Sequence, residues 1–421
     1  MKDVEVMNKQ FFKNKPEEVK LASELQYKVI SDSLKDSKPA EYILISYHYH
    51  FRSVLDRMGC QEVKIQPPEL PRSDFELPHF PYKLWSDGTD LYLMAPSNDD
   101  VNSDFYSYPI QVFEINGILV KDLLPYFLAI SELDGNEASA GIRFFNGHST
   151  LIAREYFNEV DTFEIKMRGQ TLSEVPQNRV YSKGYKITSD QYLTAKTQSK
   201  GGIVSYDLKL IKRGTYARIS SFADLTNDAM DTMANRLNET DKKYLIIDLR
   251  GTSDRNEAKA IELGYYFNKP GLSNDEFSKL MGAGIGDTNY DIQIFSKWLE
   301  GDTFQNFKPA SAHFEGEVYV IVDGYTQSSA AQFAAIMQIQ SLAVIVGEET
   351  GSMFVTSNSK DISTIKLPAS KAFGQFPSEG KSHHLDGIIT PDLYYHHSAR
   401  SIIEQKDKVL ESVIQHIKTT P

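Results

Sequence analysis

Residues 316–351 read GEVYVIVDGYTQSSAAQFAAIMQIQSLAVIVGEETG. An aliphatic run of strand length ends at Asp323, hydroxyl side chains follow, an alanine-rich helical stretch begins, and a second aliphatic run leads into a glycine-flanked acidic turn. KKYLIIDLRG (242–251) carries another such run, with the helical stretch LTNDAMDTMANRLNET ahead of it. Strands that are apolar on both sides belong in a sheet covered on both faces, and such sheets are typically parallel. Strand–helix–strand order calls for right-handed crossovers and puts a ligand site beyond the carboxyl ends of the strands. DLRG, DGYTQS and GEETGS all fall at those ends, so three polar exits are predicted to line one crevice.

Ser328 lies on the passage from strand to helix. A side chain there meets the open amides and positive dipole end of the new helix, which stabilise an oxyanion formed beside it. The arrangement is mechanically like a nucleophile elbow, without the Gly-x-Ser-x-Gly spacing. Thr326, Ser328 and Ser329 are equally suited to a plain N-cap role, since hydroxyl residues are favoured there. On local pattern both readings stand.

The rest of the chain narrows the class. With 421 residues and 47.7 kDa, two or three structural units are expected. A 41% hydrophobic and 24% charged composition is that of an ordinary globular protein. A net charge of −12 argues against nucleic acid or an anionic membrane as the main partner, because both reward a basic face. One cysteine, Cys60, rules out an internal disulfide framework and a multi-cysteine metal site. No run of apolar residues is long enough for a membrane span. The opening MKDVEVMNKQFF has no apolar core, so a signal peptide is expected to be absent or removed.

Apolar spacing over 16–57 predicts a helical N-terminal unit, 1–66, ended by the proline-marked stretch at 67–71. Residues 67–182 form the predicted second unit, with short strands dominating from about Tyr82 to Phe157. Within it QVFEINGILVKDLLPYF (111–127) alternates up to an Asn-Gly turn, then passes to a helix. Residues 183–421 form the predicted core.

Taken in order, DLRG, TQSSAAQFA, GEETG, IKLPAS (365–370) and DGIITPDLYY (386–395) resemble the motif series of the tail-specific, or C-terminal processing, serine peptidases. No single motif is specific; the ordered set is. The resemblance covers about 183–421 and implies an α/β fold, a ββα-spiral core of the Clp protease/crotonase kind. INGILV (115–120) is similar to the PDZ-type or PDZ-replacing segment that family members carry ahead of the core. Carried over by residue, the nucleophile is Ser328 and the Ser329 amide is one oxyanion donor. The second donor comes from the stretch after Asp-Leu-Arg, here Gly251-Thr252-Ser253-Asp254, as the amide of Thr252 or Ser253. Beyond Gly251 the family's further glycines are missing from that stretch.

The base differs from both branches of the family. Met353 stands where one branch has lysine, which excludes a Ser–Lys dyad there. In the other branch a histidine precedes the proline-rich stretch; in RMGCQEVKIQPP (57–68) Cys60 falls at that branch's aspartate and Glu62 at its histidine. Near neutral pH a glutamate is ionised and a weak base. His148, in NGHST, is the other candidate, with His48 and His50 further upstream. The paired histidines of SHHLDG (382–387) and YYHHS (394–398) are expected on solvated loops or edges, because neighbours on an extended chain point apart and do not share an ion. Asp248 and Arg250 are expected to form an ion pair that shapes the strand exit.

Two functions follow. The first is a serine-type peptidase acting on peptides or unfolded tails; the alternative is an inactive family member that binds an extended peptide or apolar ligand in the same crevice. Neither requires a cofactor or metal. By resemblance the protein is exported, with a cytoplasmic place left open.

Overall fold

The computed structural model describes residues 64–66, 80–94, 109–130, 138–157, 160, 162–176, 187–254, 256–267, 313–351, 362–366, 373–377 and 389–419. The helices expected over 16–57 lie outside these residues. The chain divides into two units, Met1–Lys183 with Ser357–Ser382, and Gly184–Thr356 with His383–Pro421.

The first unit contains β1 (Lys64–Gln66), β2 (Leu84–Ser86), β3 (Leu91–Leu93), β4 (Ile110–Ile115), β5 (Ile118–Leu119), α1 (Val120–Ile130), α2 (Ala138–Tyr156), β6 (Thr162–Met167) and β7 (Gln170–Pro176). Asn116 and Gly117 have φ of 50° and 80°. A two-residue type I′ hairpin needs such a positive pair, so the predicted turn forms and joins β4 to β5. An antiparallel sheet in the order β2-β3-β4-β6-β7 buries one face against α1 and α2 over an aromatic core that includes Phe127, Phe145 and Phe163. Here the expectation of dominant short strands is corrected: α2 runs for 19 residues. Its buried positions Phe145, Ser149, Ile152 and Ala153 recur every three to four residues, a helical stripe that outweighs the strand preference of the single side chains.

The second unit opens with β8 (Leu193–Lys200), β9 (Ile203–Leu208), β10 (Gly214–Ile219), α3 (Asn227–Glu239), β11 (Tyr244–Asp248), α4 (Glu257–Tyr265), β12 (Glu317–Val322), α5 (Ser329–Ile339) and β13 (Val344–Gly347). The chain then supplies β14 (Ile362–Lys366) and β15 (Phe373–Pro377), which with β1 make a three-stranded antiparallel sheet of the first unit. It re-enters the second unit with β16 (Leu393–Tyr394), α6 (Ala399–Ile403) and α7 (Lys408–Thr419).

Seven strands lie in the order β16-β13-β12-β11-β10-β9-β8. From β10 to β16 every pairing is parallel, as predicted; β8 and β9 add an antiparallel edge. The strands are apolar throughout because they serve two cores. Leu245, Ile247, Val318, Val320 and Ile345 pack on the α3, α4 and α5 side, while Ile246, Tyr319, Ile321 and Val346 face the side of α7. Alanines at 330, 331, 334 and 335 let α5 lie almost wholly buried.

Candidate active site

The exits of β11, β12 and β13 are neighbours in the sheet, and each uses a different device to turn. After β12, the Asp323 amide donates to Thr326 Oγ1 at 2.9 Å, and the Thr326 amide donates to the Asp323 carbonyl at 2.8 Å. This closed Asx-type turn delivers Ser328 to the start of α5. Ser328 has φ 52° and ψ −124°, and its side chain makes no capping hydrogen bond. A positive φ is uncommon for serine, and strained backbone of this sort costs about 1–3 kcal/mol. The hydroxyls on either side are committed elsewhere. Thr326 Oγ1 sits 3.2 Å from both the Leu249 carbonyl and Asp323 Oδ1, and buried Ser329 Oγ accepts the Asn256 amide at 2.7 Å. None of the three hydroxyls therefore caps α5 in the simple sense that the sequence left open. The Ser329 amide opens the first turn, where a helix leaves its donors without intrahelical partners.

After β11, Gly251 takes φ 72° and donates its amide to Asp323 Oδ1 at 3.0 Å. Thr252 is spent on structure: its amide donates to the Leu249 carbonyl at 3.1 Å, its hydroxyl to the Ile219 carbonyl at 2.8 Å, and its carbonyl accepts the Gln327 amide at 2.9 Å. Of the two amides expected there, this leaves that of Ser253, an exposed residue. Asn256 caps α4 through its side chain while its own amide reaches Ser329, so the starts of α4 and α5 are tied together.

Behind this turn lies an ionic cluster. Arg250 grips Asp248 Oδ2 at 2.6 Å and Asp407 Oδ2 at 2.7 Å, and Arg218 reaches Asp248 Oδ1 at 2.9 Å. Tyr216 donates its hydroxyl to Asp248 at 2.6 Å, and Ser189 donates to Asp407 at 2.7 Å. Burial alone would raise the Asp248 carboxyl, but Arg250 and Arg218 outweigh it and hold the group well below the usual carboxylate range. Burial and the facing Asp248 carboxylate push the Tyr216 hydroxyl up. The expected Asp248–Arg250 pair is thus present, and it extends to a residue at the entrance to α7.

After β13, Gly347 and Gly351 meet backbone where a side chain would stand. A Cβ at 347 would lie 2.2 Å from the Val322 carbonyl oxygen, and one at 351 would lie 1.7 Å from that of Gly324. Thr350 fastens this exit to the DGIITPD segment, donating its amide to the Ile389 carbonyl and accepting the Ile389 amide on its hydroxyl. Asp392 of that segment accepts the Ile345 amide at 2.7 Å.

Glu62, Cys60, His48, His50, Met353 and SHHLDG lie outside the described residues. His148 belongs to the first unit, at a kink of α2 with φ −124°, its Nδ1 3.1 Å from the Phe144 carbonyl and its ring 4.5 Å from that of Phe144. Of the YYHHS pair, His396 is exposed as expected, but His397 is buried, which corrects the expectation of two solvated histidines: neighbours on an extended chain point apart, and here one of the two faces inward. Among the described residues no group of three His, Cys, Asp or Glu is placed to hold a metal, and no helix is long and apolar enough to cross a membrane. Asp323 and Asp407 were missed. The Asp-x-x-Thr spacing of a local turn could have flagged the first; the second meets Arg250 across 157 positions, with no local trace.

Residues 213–395 match the model of a family described as peptidase family S41. No curated protein matches the chain. Among solved structures, mature CPAF is 12% identical, with 98% of this chain and 92% of that one covered and a TM-score of 0.54. Mature CPAF complexed with lactacystin is also 12% identical, with 95% and 92% covered and a TM-score of 0.54. A putative peptidase from Parabacteroides merdae is 17% identical over 54% of this chain and 68% of its own, with a TM-score of 0.38. The CPAF likeness is one of fold. With the family match, it bears out the α/β core of the Clp protease/crotonase kind.

Proposed function

We propose, from the match of residues 213–395 to peptidase family S41, a family of serine peptidases, that the chain cleaves peptides or unfolded protein tails with Ser328 as nucleophile. Ser328 Oγ attacks the scissile carbonyl while its proton passes to a base. The negative oxygen so formed is held by the amides of Ser329 and Ser253, aided by the positive end of α5. The amine then leaves with a proton, and water hydrolyses the acyl-enzyme. Glu62 and His148 lead the base candidates that the sequence offers, with His48 and His50 behind them. A PDZ-like or PDZ-replacing role for the six-stranded sheet of the first unit, and an exported location, belong to the same proposal.

The observation that carries this reading is the backbone of Ser328. A serine held at φ 52° whose side chain does not cap α5 carries backbone strain, and such strain gathers at functional sites. Met353 and Glu62, standing where the family's branches place their bases, favour the second reading, a binder that does not cleave.

Labelling by a fluorophosphonate, together with cleavage of casein as an unfolded substrate, separates the two. The peptidase reading expects both in the wild type and neither in Ser328→Ala. Absence of both in the wild type across pH about 5–9, the span in which a histidine or perturbed glutamate titrates, overturns it in favour of the binder.

A further inference from the structure

We propose that Asp323 is a positioning residue, whose buried carboxylate locks the turn after β11 and the turn presenting Ser328 into one register. The inference rests on the reading of Ser328 as nucleophile and Ser253 as oxyanion donor. Asp323 is 6% exposed. A single oxygen, Oδ1, accepts the Gly251 amide at 3.0 Å, the Tyr325 amide at 3.0 Å, and lies 3.2 Å from the Thr326 hydroxyl. Gly251 is two residues before Ser253, and Tyr325 is three before Ser328. One acceptor thus sets both ends of the future oxyanion site.

The remaining links run between the same two turns: Gln327 to the Thr252 carbonyl, Thr326 to the Leu249 carbonyl and Asn256 to Ser329 Oγ. Asp323 is the charged member and the only one of these side chains that holds a donor on each turn with one oxygen. An ionised carboxylate accepts without donating, and hydrogen bonds to it are stronger than neutral ones. It suits a place where donors converge from three backbone and side-chain positions. Losing it frees the turn at 251–254 to shift against Ser328, and a misplacement of about 1 Å costs on the order of a hundredfold in rate.

The test uses the full chain with Asp323→Ala, Asp323→Ser and Asp323→Asn. Serine retains a local acceptor for Tyr325 but draws back from Gly251; asparagine keeps an Oδ1 within reach of both. Fluorophosphonate labelling at varied reagent concentration separates the maximal rate from half-saturation, and hydrogen exchange is followed on peptides covering 249–254 and 323–328. Expected are a maximal rate about a hundredfold lower in Asp323→Ala and Asp323→Ser with half-saturation unchanged, faster exchange over 249–254, and recovery of both in Asp323→Asn. If alanine does not fold, serine carries the same expectations. Labelling and exchange at wild-type levels in the serine variant overturn the proposal, as does an asparagine variant as impaired as serine. A wild type that takes no label overturns the reading of Ser328 instead; the clamp is then decided by exchange alone, upheld by faster 249–254 exchange in serine but not asparagine and overturned by any other pattern.

Discussion

Ser329 Oγ accepts the amide hydrogen of Asn256 at 2.7 Å, joining the first residue of α5 to the residue that caps α4. The serine beside the strained one is therefore a structural serine with a buried acceptor. Ser329→Ala leaves the Asn256 amide without that partner while preserving the backbone amide at 329. The expected loss is about 1–3 kcal/mol of stability, read by urea unfolding. Fluorophosphonate labelling, if present in the wild type, is expected to persist; its disappearance would make the Ser329 hydroxyl necessary for labelling, either as the reacting group or as the link to α4.

Ser328 offers the complementary experiment. Its φ of 52° is costly for a residue with a Cβ and nearly free for glycine. Ser328→Ala and Ser328→Gly both delete the hydroxyl, so their difference isolates the backbone. Glycine is expected to be more stable than alanine by about 1 kcal/mol, the relief of strain exceeding glycine's extra chain entropy. Equal unfolding midpoints would show that no strain is stored there.

The parallel core was readable because buried strands leave continuous aliphatic runs, and their exits were readable because glycines and acids punctuate them. The position of Ser328 followed from that order. Its conformation did not, since Thr326, Ser328 and Ser329 look alike as caps until each hydroxyl's partner is known. Thr252 and Ser253 were equivalent candidates for the same reason: only the turn back to Leu249 shows that the Thr252 amide is occupied. In α2 the strand preference of Phe and Ile hid a helical stripe. Asp407 was invisible because its role depends on Arg250, a partner brought near by the whole fold rather than by local chain geometry.

The buried cluster of Asp248, Arg250, Arg218 and Asp407 makes an acid prediction. Burial opposes the charge of Asp248, yet Arg250 and Arg218 depress its carboxyl, and Asp407 is likewise lowered by Arg250 against its burial. Groups depressed in the folded state add stability that is present above the unfolded carboxylate value of about 3.9 and is lost as pH falls from there toward the folded value. The wild type should lose stability progressively below about pH 4. Asp248→Asn, which leaves two arginines short of a counter-charge, is expected to cost about 3–5 kcal/mol at neutral pH and to flatten that acid limb. Thermal unfolding between pH 2 and 7 checks both; an unchanged limb would remove Asp248 from the account.

At position 351 the constraint is steric rather than electrostatic. The Gly351 amide donates to the Thr326 carbonyl at 3.1 Å, and a Cβ would stand 1.7 Å from the Gly324 carbonyl oxygen. Backbone rather than a movable side chain lies in the way. Gly351→Ala must push the third exit away from the second, at a cost of about 1–3 kcal/mol or more. Exchange over 323–328 is expected to rise with it, because the same contact steadies the turn that leads to Ser328. A variant as stable as the wild type, with unchanged exchange, would show that the two exits move apart freely.

The base invites a gain rather than a loss. By its resemblance to the histidine-bearing branch, the chain carries Glu62 where that branch has its proton acceptor, and a glutamate of ordinary acidity, near 4.3, is a poor base for a serine hydroxyl. Glu62→His places a group that titrates near 6.5 at that position of the sequence, and a positioned base contributes typically about 10²–10⁴-fold. If Glu62 does occupy the acceptor's place, labelling of Ser328 should rise in Glu62→His, with a pH profile that climbs through the imidazole range, and should fall in Glu62→Gln. If His148 is the acceptor instead, His148→Gln abolishes labelling while both Glu62 variants retain wild-type rates. The two outcomes exclude each other, and their pH profiles distinguish an imidazole from a carboxylate without reference to the substrate.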